Sequence, residues 1–352
     1  MRVLFVQQQP CVRALKYAVA LRSARSDIQL AFAYRGSTLS ALYGSGDELF
    51  ERWYRLETDV GNDLRRAIGE FRPDLIHSHN LPDALTVLSL GLAEGRVPVV
   101  HDVHDLQSLR RTPYEDGFPE PRDPLELERR AVEESAALVT VSDELVAEIG
   151  ARHSLPAQVV TFPNYALRRD LPDQLPPPDR PRSGALRLVY QGTLAVNDGH
   201  YDLRALFAAI TASNVELDVY PNRPLPDYRD VGVSLREKLT PRRLFAVLPA
   251  YDFGWAGFNA TLNGAHLDTA LPNKVFEYVG CGLPVLTLRH KALARMIEAH
   301  GFGVVLTGLD GLEEQLEALD LVSLRRQVAA TRFDYTVESQ IGRLLELYDS
   351  LT

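Results

Sequence analysis

Short apolar runs alternate with amphipathic stretches along the chain, and this alternation constrains the fold more than any other feature. Apolar runs at 2–6, 28–34 and 97–103 predict buried strands, and stretches with a helical pattern separate them. The longest of these stretches predicts a helix over about Glu48–Phe71. Parallel strands need crossover connections of this kind, so the pattern predicts an α/β fold whose parallel sheets are covered by helices on both faces.

The alternation is interrupted once, by a polar segment rich in proline. Proline resists both helix and strand ladder, so residues 169–184 predict an interdomain linker. A chain of 352 residues exceeds what one core usually holds. We therefore expect one domain at 1–168, a second domain at 185–333 and an amphipathic helix at 334–352. Ligands of doubly wound, Rossmann-like domains bind at the carboxyl ends of the strands.

Composition narrows the classes of function. The formal net charge of −9 argues against nonspecific nucleic-acid binding, which needs a basic surface. Cys11 and Cys281 lie far apart and predict neither a disulfide framework nor a metal knuckle. The sequence shows no secretory leader pattern and no apolar run of membrane-spanning length, so we expect a cytoplasmic protein.

The stretch Leu271–Leu286 contains the strongest candidate for a ligand site. Pro272 suits the first position of a helix, and the amides from Asn273 onward would then point at an anion near the positive helix end. Lys274 adds a full charge, and Glu277 lies on the same face as Asn273, where its carboxylate could accept hydrogen bonds from a diol. This pattern predicts a nucleotide site. An ordinary core helix with two solvated charges explains the same residues equally well.

Two clusters of polar residues each close a predicted strand: His77-Ser78-His79-Asn80 and His101-Asp102-Val103-His104-Asp105. Histidine and aspartate at such spacing occur as ligands of metal hydrolases. The alternative is a set of polar side chains that line a cleft and bind no metal. The spacing leaves both interpretations open.

A predicted N-terminal helix carries four basic residues without an acidic residue between them: Arg13, Lys16, Arg22 and Arg25. A solvated helix face is the simpler interpretation. The alternative is a basic face that rests on anionic lipid at the inner membrane surface or meets a phosphorylated acceptor.

Three motifs resemble the retaining GT-B glycosyltransferases of family 4. They are the run Pro-Asn-Lys-x-Phe-Glu-Tyr that begins at Pro272, the strand 97–105 with its His-Asp ending, and the strand and glycine turn Tyr190-Gln191-Gly192-Thr193-Leu194. The resemblance implies two Rossmann-like domains that face a cleft, an acceptor-side domain at 1–168 and a nucleotide-sugar domain at 185–333. It further implies that the last helix, at 334–352, packs back on the first domain. It also implies that Glu277 binds the ribose, that Lys274 and Asn273 lie near the diphosphate, and that His104 contacts the donor sugar.

The sequence departs from the family pattern at three positions. Thr193 and Asp198 stand where the family carries an arginine and a lysine that bind the diphosphate, and Thr269 stands where it carries an earlier glutamate. Each missing charge-assisted hydrogen bond is typically worth about 1.5–3 kcal/mol. Lys274 is therefore expected to be the main diphosphate anchor, with Arg204 or His200 as candidates to assist it. Asn259, Asn263, His266 and Asp268 are the nearest polar candidates for the sugar hydroxyls.

The resemblance predicts a glycosyltransferase that uses a nucleoside diphosphate sugar, needs no cofactor or metal, and glycosylates a polysaccharide, glycolipid or natural product. The predicted catalytic residues are His104, Lys274 and Glu277, and the predicted donor-binding residues are Gly192, Thr193, Asn273, Lys274, Glu277, His266 and Asp268. The predicted acceptor-side residues are His79, Asn80 and Gln8. Two rivals remain, a metal-dependent hydrolase built on the His/Asp clusters and a non-catalytic protein that binds nucleotide sugars.

Overall fold

The computed structural model of the protein describes residues 1–111, 123–181 and 184–352. The loop that Pro113 and Pro121 predict, and residues Arg182 and Ser183 of the predicted linker, lie outside the described residues. Within the described ranges, no helix combines the length and the apolar character that crossing a bilayer requires.

The first 163 residues alternate strands and helices. In chain order these are β1 Arg2–Gln7, α1 Val12–Ala24, β2 Gln29–Tyr34, α2 Leu39–Tyr43, β3 Arg52–Arg55, α3 Val60–Phe71, β4 Leu75–His79, α4 Ala84–Ala93, β5 Val99–Val103, α5 Pro124–Glu133, β6 Ala137–Thr140, α6 Asp143–Gly150 and β7 Val159–Thr161.

The strands of this region form one parallel sheet in the order β3-β2-β1-β4-β5-β6-β7 among the described residues. Strand order reverses between β1 and β4, since β1 pairs with β2 on one side and with β4 on the other. Every residue of β4 and β5 is buried, as expected for strands covered on both faces. The sheet therefore places the carboxyl ends of β1, β4 and β5 next to one another.

The remaining elements continue the alternation. They are β8 Leu186–Gly192, α7 Arg204–Thr211, β9 Val215–Pro221, β10 Ser234–Leu235, α8 Pro241–Val247, β11 Phe253–Trp255, α9 Gly264–Leu267, α10 Asn273–Gly280, β12 Val285–Leu288, α11 Lys291–His300, β13 Gly303–Leu306, α12 Leu312–Glu317, α13 Leu321–Thr331 and α14 Val337–Leu351.

The second sheet is also parallel, with the order β10-β9-β8-β11-β12-β13 in the part of the chain that the structure describes. Its order reverses between β8 and β11, the point at which ligands of such sheets bind. Large buried side chains such as Trp255, Phe253 and Phe207 form its core. The predicted α/β class, with two parallel sheets and flanking helices, is confirmed.

The chain divides into two compact units. The first domain comprises Met1–Pro163 together with Val337–Thr352, and the second domain comprises Asn164–Thr336. Helix α14 thus belongs to the first domain, where it packs on α1, and Arg25 and Asp349 form an ion pair at 2.5 Å between these helices. Most of the predicted linker packs within the second domain: Arg332 donates hydrogen bonds to the carbonyl oxygens of Pro172 and Asp173, at 2.6 and 2.9 Å.

The predicted helix over about Glu48–Phe71 is wrong in its first half. Residues 52–55 form strand β3, and only Val60–Phe71 is helical. Trp53 and Tyr54 favour a pleated, half-buried surface, and the Trp53 ring stacks on Phe32 of β2. Asp59 then caps α3, because its side chain accepts a hydrogen bond from the amide of Asn62.

Candidate functional site

Helix α10 lies at the point where the strand order of the second sheet reverses. The hydroxyl of Tyr278 accepts a hydrogen bond from the amide of Gln191 in β8, at 3.1 Å. The same hydroxyl lies 3.4 Å from the carbonyl oxygens of Val189 and Trp255, so it contacts both β8 and β11. Gly254 leaves room for this ring, since a Cβ atom there would lie 2.4 Å from it. One tyrosine therefore fixes the helix against the two strands that border the switch point.

The predicted position of Pro272 is wrong by one residue. Pro272 is the N-cap, with an extended backbone at φ −72° and ψ 149°, and the helix begins at Asn273. The fixed φ of proline fits both the N-cap and the first helical position, so ψ decides which of the two Pro272 occupies. Lys274 still lies in the first turn, where its charge adds to the positive end of the helix dipole.

Lys274 has an unusual environment for a lysine. Its side chain is buried, with 7% of the residue exposed, and its Nζ has no hydrogen-bond partner among the described residues. The Nζ lies 3.9 Å from the centroid of the Tyr190 ring and 5.1 Å from that of Phe258. Burial lowers the pKa of Lys274 to about 7, against the opposing charge of Glu277. The amine therefore lies beside the turn at Gly192, and no group of the described residues accepts a hydrogen bond from it.

Glu277 is held by a residue that the motif did not predict. The side-chain amide of Gln191 donates a hydrogen bond to one oxygen of the Glu277 carboxylate. Glu277 is half-buried, so it is oriented by Gln191 and still reaches solvent. Gln191 directly precedes the turn glycine in the run Tyr190-Gln191-Gly192. This position next to the turn is the sequence feature that could have indicated its role.

The turn after β8 is held by its own polar groups. Gly192 has a φ of +127°, which only glycine adopts readily. Thr193 is exposed; its hydroxyl accepts a hydrogen bond from Asn222 at 3.1 Å, and its carbonyl accepts one from Tyr190 at 2.6 Å. Asp198 is exposed as well.

Arg204 and His200 are the candidates to supply the positive charge that the family carries at the positions of Thr193 and Asp198, and both already have contacts within the protein. Arg204 forms a bidentate ion pair with Asp202, at 2.9 and 2.6 Å, so its guanidinium is already engaged. The His200 ring contacts Tyr201, with 4.1 Å between centroids, and lies 5.9 Å from the buried ring of His266. These positions leave Lys274 as the expected diphosphate anchor.

Asp268 follows the end of α9 and contacts the start of α11, a different helix from the one that carries Lys274. Its carboxylate accepts a hydrogen bond from the amide of Lys291 at 3.1 Å and lies 3.3 Å from the Lys291 ammonium. Asp268 thereby caps α11, and its predicted contact with the donor sugar stays a prediction. The hydroxyl of Thr269 is also used locally, on the carbonyl of His266 at 2.8 Å.

The polar clusters of the first domain meet at the ends of β4 and β5, where His79 pairs in register with Asp102. His104 is partly exposed, and its amide donates to the side-chain oxygen of Asn80 at 3.1 Å. Asn80 in turn donates to the carbonyl of Asp105. Gln8, at the end of β1, accepts hydrogen bonds at its carbonyl from Arg35 and Gly36. The predicted roles of His79, Asn80, Gln8 and His104 stay predictions.

Asp102 is the centre of a buried network. Its carboxylate accepts hydrogen bonds from Arg13 and from the Tyr17 hydroxyl, all at 3.0 Å, and one from His77 Nε2 at 3.2 Å. The other His77 nitrogen accepts a hydrogen bond from the hydroxyl of Tyr348 at 2.6 Å. Burial alone would raise the pKa of Asp102, but the Arg13 charge and the hydrogen bonds hold it well below its ordinary value.

This network corrects the predicted basic helix face. Arg13 and Lys16 are buried, with 4% and 5% of each residue exposed, and Arg13 is committed to Asp102. The face is therefore neither solvated nor available to anionic lipid at these two residues. Sequence spacing showed four positive charges, but it could not show that an aspartate 89 residues away neutralises one of them.

The geometry also bears on the metal alternative. His77, His79 and Asp102 each offer one ligand atom within 4.8 Å of the others. The Asp102 charge is already balanced by Arg13, so a divalent cation would add two uncompensated charges to a buried site, at a cost of several kcal/mol per ion. His77 also has both ring nitrogens engaged. The existing contacts of Asp102 and His77 therefore argue against a metal centre at this cluster.

Tyr348→Phe tests whether this network stabilises the first domain. The change would leave a buried histidine nitrogen without its donor, and we expect a loss of about 1–2 kcal/mol in the free energy of unfolding. Urea denaturation, with hydrogen exchange of the β4 and β5 amides, measures it. The matched control is Tyr335→Phe, whose hydroxyl contacts His300 at 2.8 Å at the surface. An equal effect of both changes would contradict the expectation.

Residues 12–165 match the sequence model of the glycosyl transferase 4-like domain. The comparison with curated proteins gave no significant match. Among solved structures, sucrose-phosphate synthase from Thermosynechococcus elongatus is 14% identical, with a TM-score of 0.69 and 100% of both chains covered.

Two further structures share the fold at similar distance. HepE of Anabaena, solved in complex with UDP-glucose, is 12% identical, with a TM-score of 0.71 over 98% of this chain and 99% of that one. WaaG, a glycosyltransferase involved in lipopolysaccharide biosynthesis, is 13% identical, with a TM-score of 0.65 over 99% of both chains. Identities this low establish the fold alone. Residues 12–165 therefore carry the sequence pattern of the glycosyl transferase 4-like domain, and the whole chain has the GT-B fold.

Proposed function

We propose that this protein is a glycosyltransferase that moves a sugar from a nucleoside diphosphate donor to a hydroxyl group, with retention at the anomeric carbon. The observation that carries the proposal is the pair Lys274 and Glu277 on one helix at the switch point of the second sheet. The match of residues 12–165 to a glycosyltransferase domain supports it. So do structures of the same fold solved with UDP, with UDP-glucose, or with UDP and glucose.

The chemistry assigns a role to each group. The diphosphate gains negative charge as the bond to the sugar breaks, so catalysis needs preorganised positive groups. Lys274 and the N-terminal end of α10 supply them in the proposed site. Glu277, oriented by Gln191, accepts hydrogen bonds from the ribose hydroxyls. His104 is the proposed ligand of the donor sugar.

The second candidate is a protein that binds a nucleotide sugar and transfers nothing. The exposed carboxylate of Asp198, at a position where the family carries a cation, favours it. Release of UDP from UDP-glucose separates the two candidates, measured by chromatography with and without a panel of oligosaccharide, lipid-linked and phenolic acceptors. Acceptor-dependent release supports the transferase, and tight binding without release supports the second candidate.

Removal of metal ions is expected to leave the proposed activity unchanged. Lys274 and the helix end supply the positive charge, and the Asp102 cluster does not fit a cation. We expect the same UDP-glucose affinity, and the same rate of UDP release, after dialysis against EDTA as before it. A loss of activity that zinc or manganese restores would instead favour the metal-dependent hydrolase. Thermal-shift measurements with uridine, guanosine, thymidine and adenosine diphosphates in the same buffers would identify the base.

A further inference from the structure

The amine of Lys274 lacks the partners that a buried ammonium needs. An ammonium carries three N–H donors, and the Lys274 Nζ has no acceptor among the described residues. Its close neighbours are the faces of two aromatic rings, at 3.9 Å for Tyr190 and 5.1 Å for Phe258. The backbone at Gly192 also passes close by, since a Cβ atom there would lie 3.6 Å from the Nζ.

The balance of energies favours the neutral amine in the empty site. A desolvated cation over an aromatic face gains about 2 kcal/mol, whereas removing an ammonium from water costs several kcal/mol. Geometry alone therefore disfavours the charged form. The pKa of about 7, lowered by burial, agrees with this balance.

The other titratable groups near this amine leave that conclusion unchanged. Glu277 on the same helix is the acidic group whose charge favours the ammonium form of Lys274. Its carboxylate also accepts a hydrogen bond from the side-chain amide of Gln191. Tyr190 of β8 is a neutral phenol, because burial raises its pKa well above the usual value. Beyond Phe258, the His200 ring lies 6.2 Å from the phenyl ring, and His266 lies 5.9 Å from His200.

We propose that Lys274 couples donor binding to the uptake of a proton: its amine is neutral in a large share of the empty protein and becomes an ammonium when a nucleoside diphosphate binds. This inference rests on the proposed function, since the diphosphate supplies the acceptors that the protein lacks. The step forms one N–H bond, with a proton taken from solvent, and it breaks no covalent bond. It makes donor affinity depend on pH within the neutral range.

The direction in which donor affinity changes with pH follows from the protonation state of Lys274 that the donor prefers. Donor binding favours the ammonium, so the pKa of Lys274 rises in the complex. Above about pH 7 the empty protein must first take up a proton, and the affinity then falls by up to about tenfold per pH unit until the pKa of the complex is reached. Well below pH 7 the amine is already charged, and the affinity levels off.

The first test needs no ligand. The chain has four lysines, so protein labelled with 13C at the lysine ε carbons gives few signals in an NMR titration. The Lys274 signal is the one lost in Lys274→Arg. We expect it to titrate near pH 7, and titration at an ordinary lysine pH would overturn the inference.

The second test measures protons directly, by calorimetric titration of UDP-glucose at pH 7.5 in two buffers with different ionisation enthalpies. UDP-glucose is the probe because its phosphates do not titrate in this range. We expect wild type to take up roughly half a proton or more per bound molecule. Lys274→Arg, whose charge is permanent, should take up almost none and lose most of the pH dependence of affinity.

The outcomes separate this inference from the proposed function. Binding of UDP-glucose without proton uptake overturns the coupling and leaves the glycosyltransferase proposal standing. Failure of wild type to bind UDP-glucose or any of the four nucleoside diphosphates overturns the proposed function and the coupling with it. Circular dichroism and thermal unfolding of Lys274→Arg check that the variant keeps its fold.

Discussion

Glu277→Ala is expected to weaken the binding of UDP by about 10- to 100-fold. The change removes a carboxylate that accepts hydrogen bonds from the ribose in the proposed site, and charge-assisted hydrogen bonds are worth about 1.5–3 kcal/mol. It also leaves the side-chain amide of Gln191 without its acceptor. Calorimetric titration at constant pH measures the effect, and thermal unfolding of the free variant shows whether the second domain keeps its stability.

The matched control for this prediction is Glu237→Ala. Glu237 is an exposed carboxylate of the same domain, so its removal changes the net charge by the same amount. We expect its UDP affinity to stay within about twofold of wild type. Equal affinities of the Glu277 variant and wild type would exclude the ribose role, and equal losses in both variants would show that only overall charge matters.

Arg13→Ala is expected to destabilise the first domain by about 3–5 kcal/mol. Arg13 is the cation that balances the fully buried carboxylate of Asp102, and removing one partner of a buried ion pair leaves an uncompensated charge. Arg22→Ala is the control on the same helix, since that arginine is partly exposed and lies 3.9 Å from Glu51. We expect the control to cost less than about 1 kcal/mol in urea denaturation.

The Arg13 effect should also depend on pH. The folded pKa of Asp102 lies below its unfolded value, so this carboxylate contributes stability that is fully present above the unfolded pKa, about 3.9. The contribution is lost as the pH falls through the folded pKa. The difference between wild type and Arg13→Ala should therefore be full at pH 7 and shrink in strongly acidic solution. A difference that stays constant with pH would argue that Arg13 acts through packing alone.

Most of the fold could be predicted because buried strands and buried helix faces appear in the sequence as regular patterns of apolar residues. Parallel strands buried on both faces appear as short apolar runs, and β1, β2 and β5 lie within a few residues of the strands predicted at 2–6, 28–34 and 97–103. Edge strands leave a weaker record. β3 has two exposed arginines around Trp53 and Tyr54, and this mixture resembles the surface of an amphipathic helix.

The candidate site could be predicted only where one segment carries it. Lys274 and Glu277 lie within one helical turn, so spacing alone places them on related faces. Gln191 and Tyr190 lie more than 80 residues before them and meet them only through the sheet. The partners of Asp102 come from α1 and β4, and α14 joins the network through His77, so no local pattern could show that Arg13 is buried.

The membership of α14 in the first domain has a consequence for synthesis on the ribosome. Residues 337–352 complete the His77 network, but they are made only after all of Asn164–Thr336. At about 5–20 residues per second, that intervening stretch takes roughly ten to thirty seconds to translate. During all of that time the first domain lacks a helix that its hydrogen-bond network needs. The part of the protein that is made first is completed last.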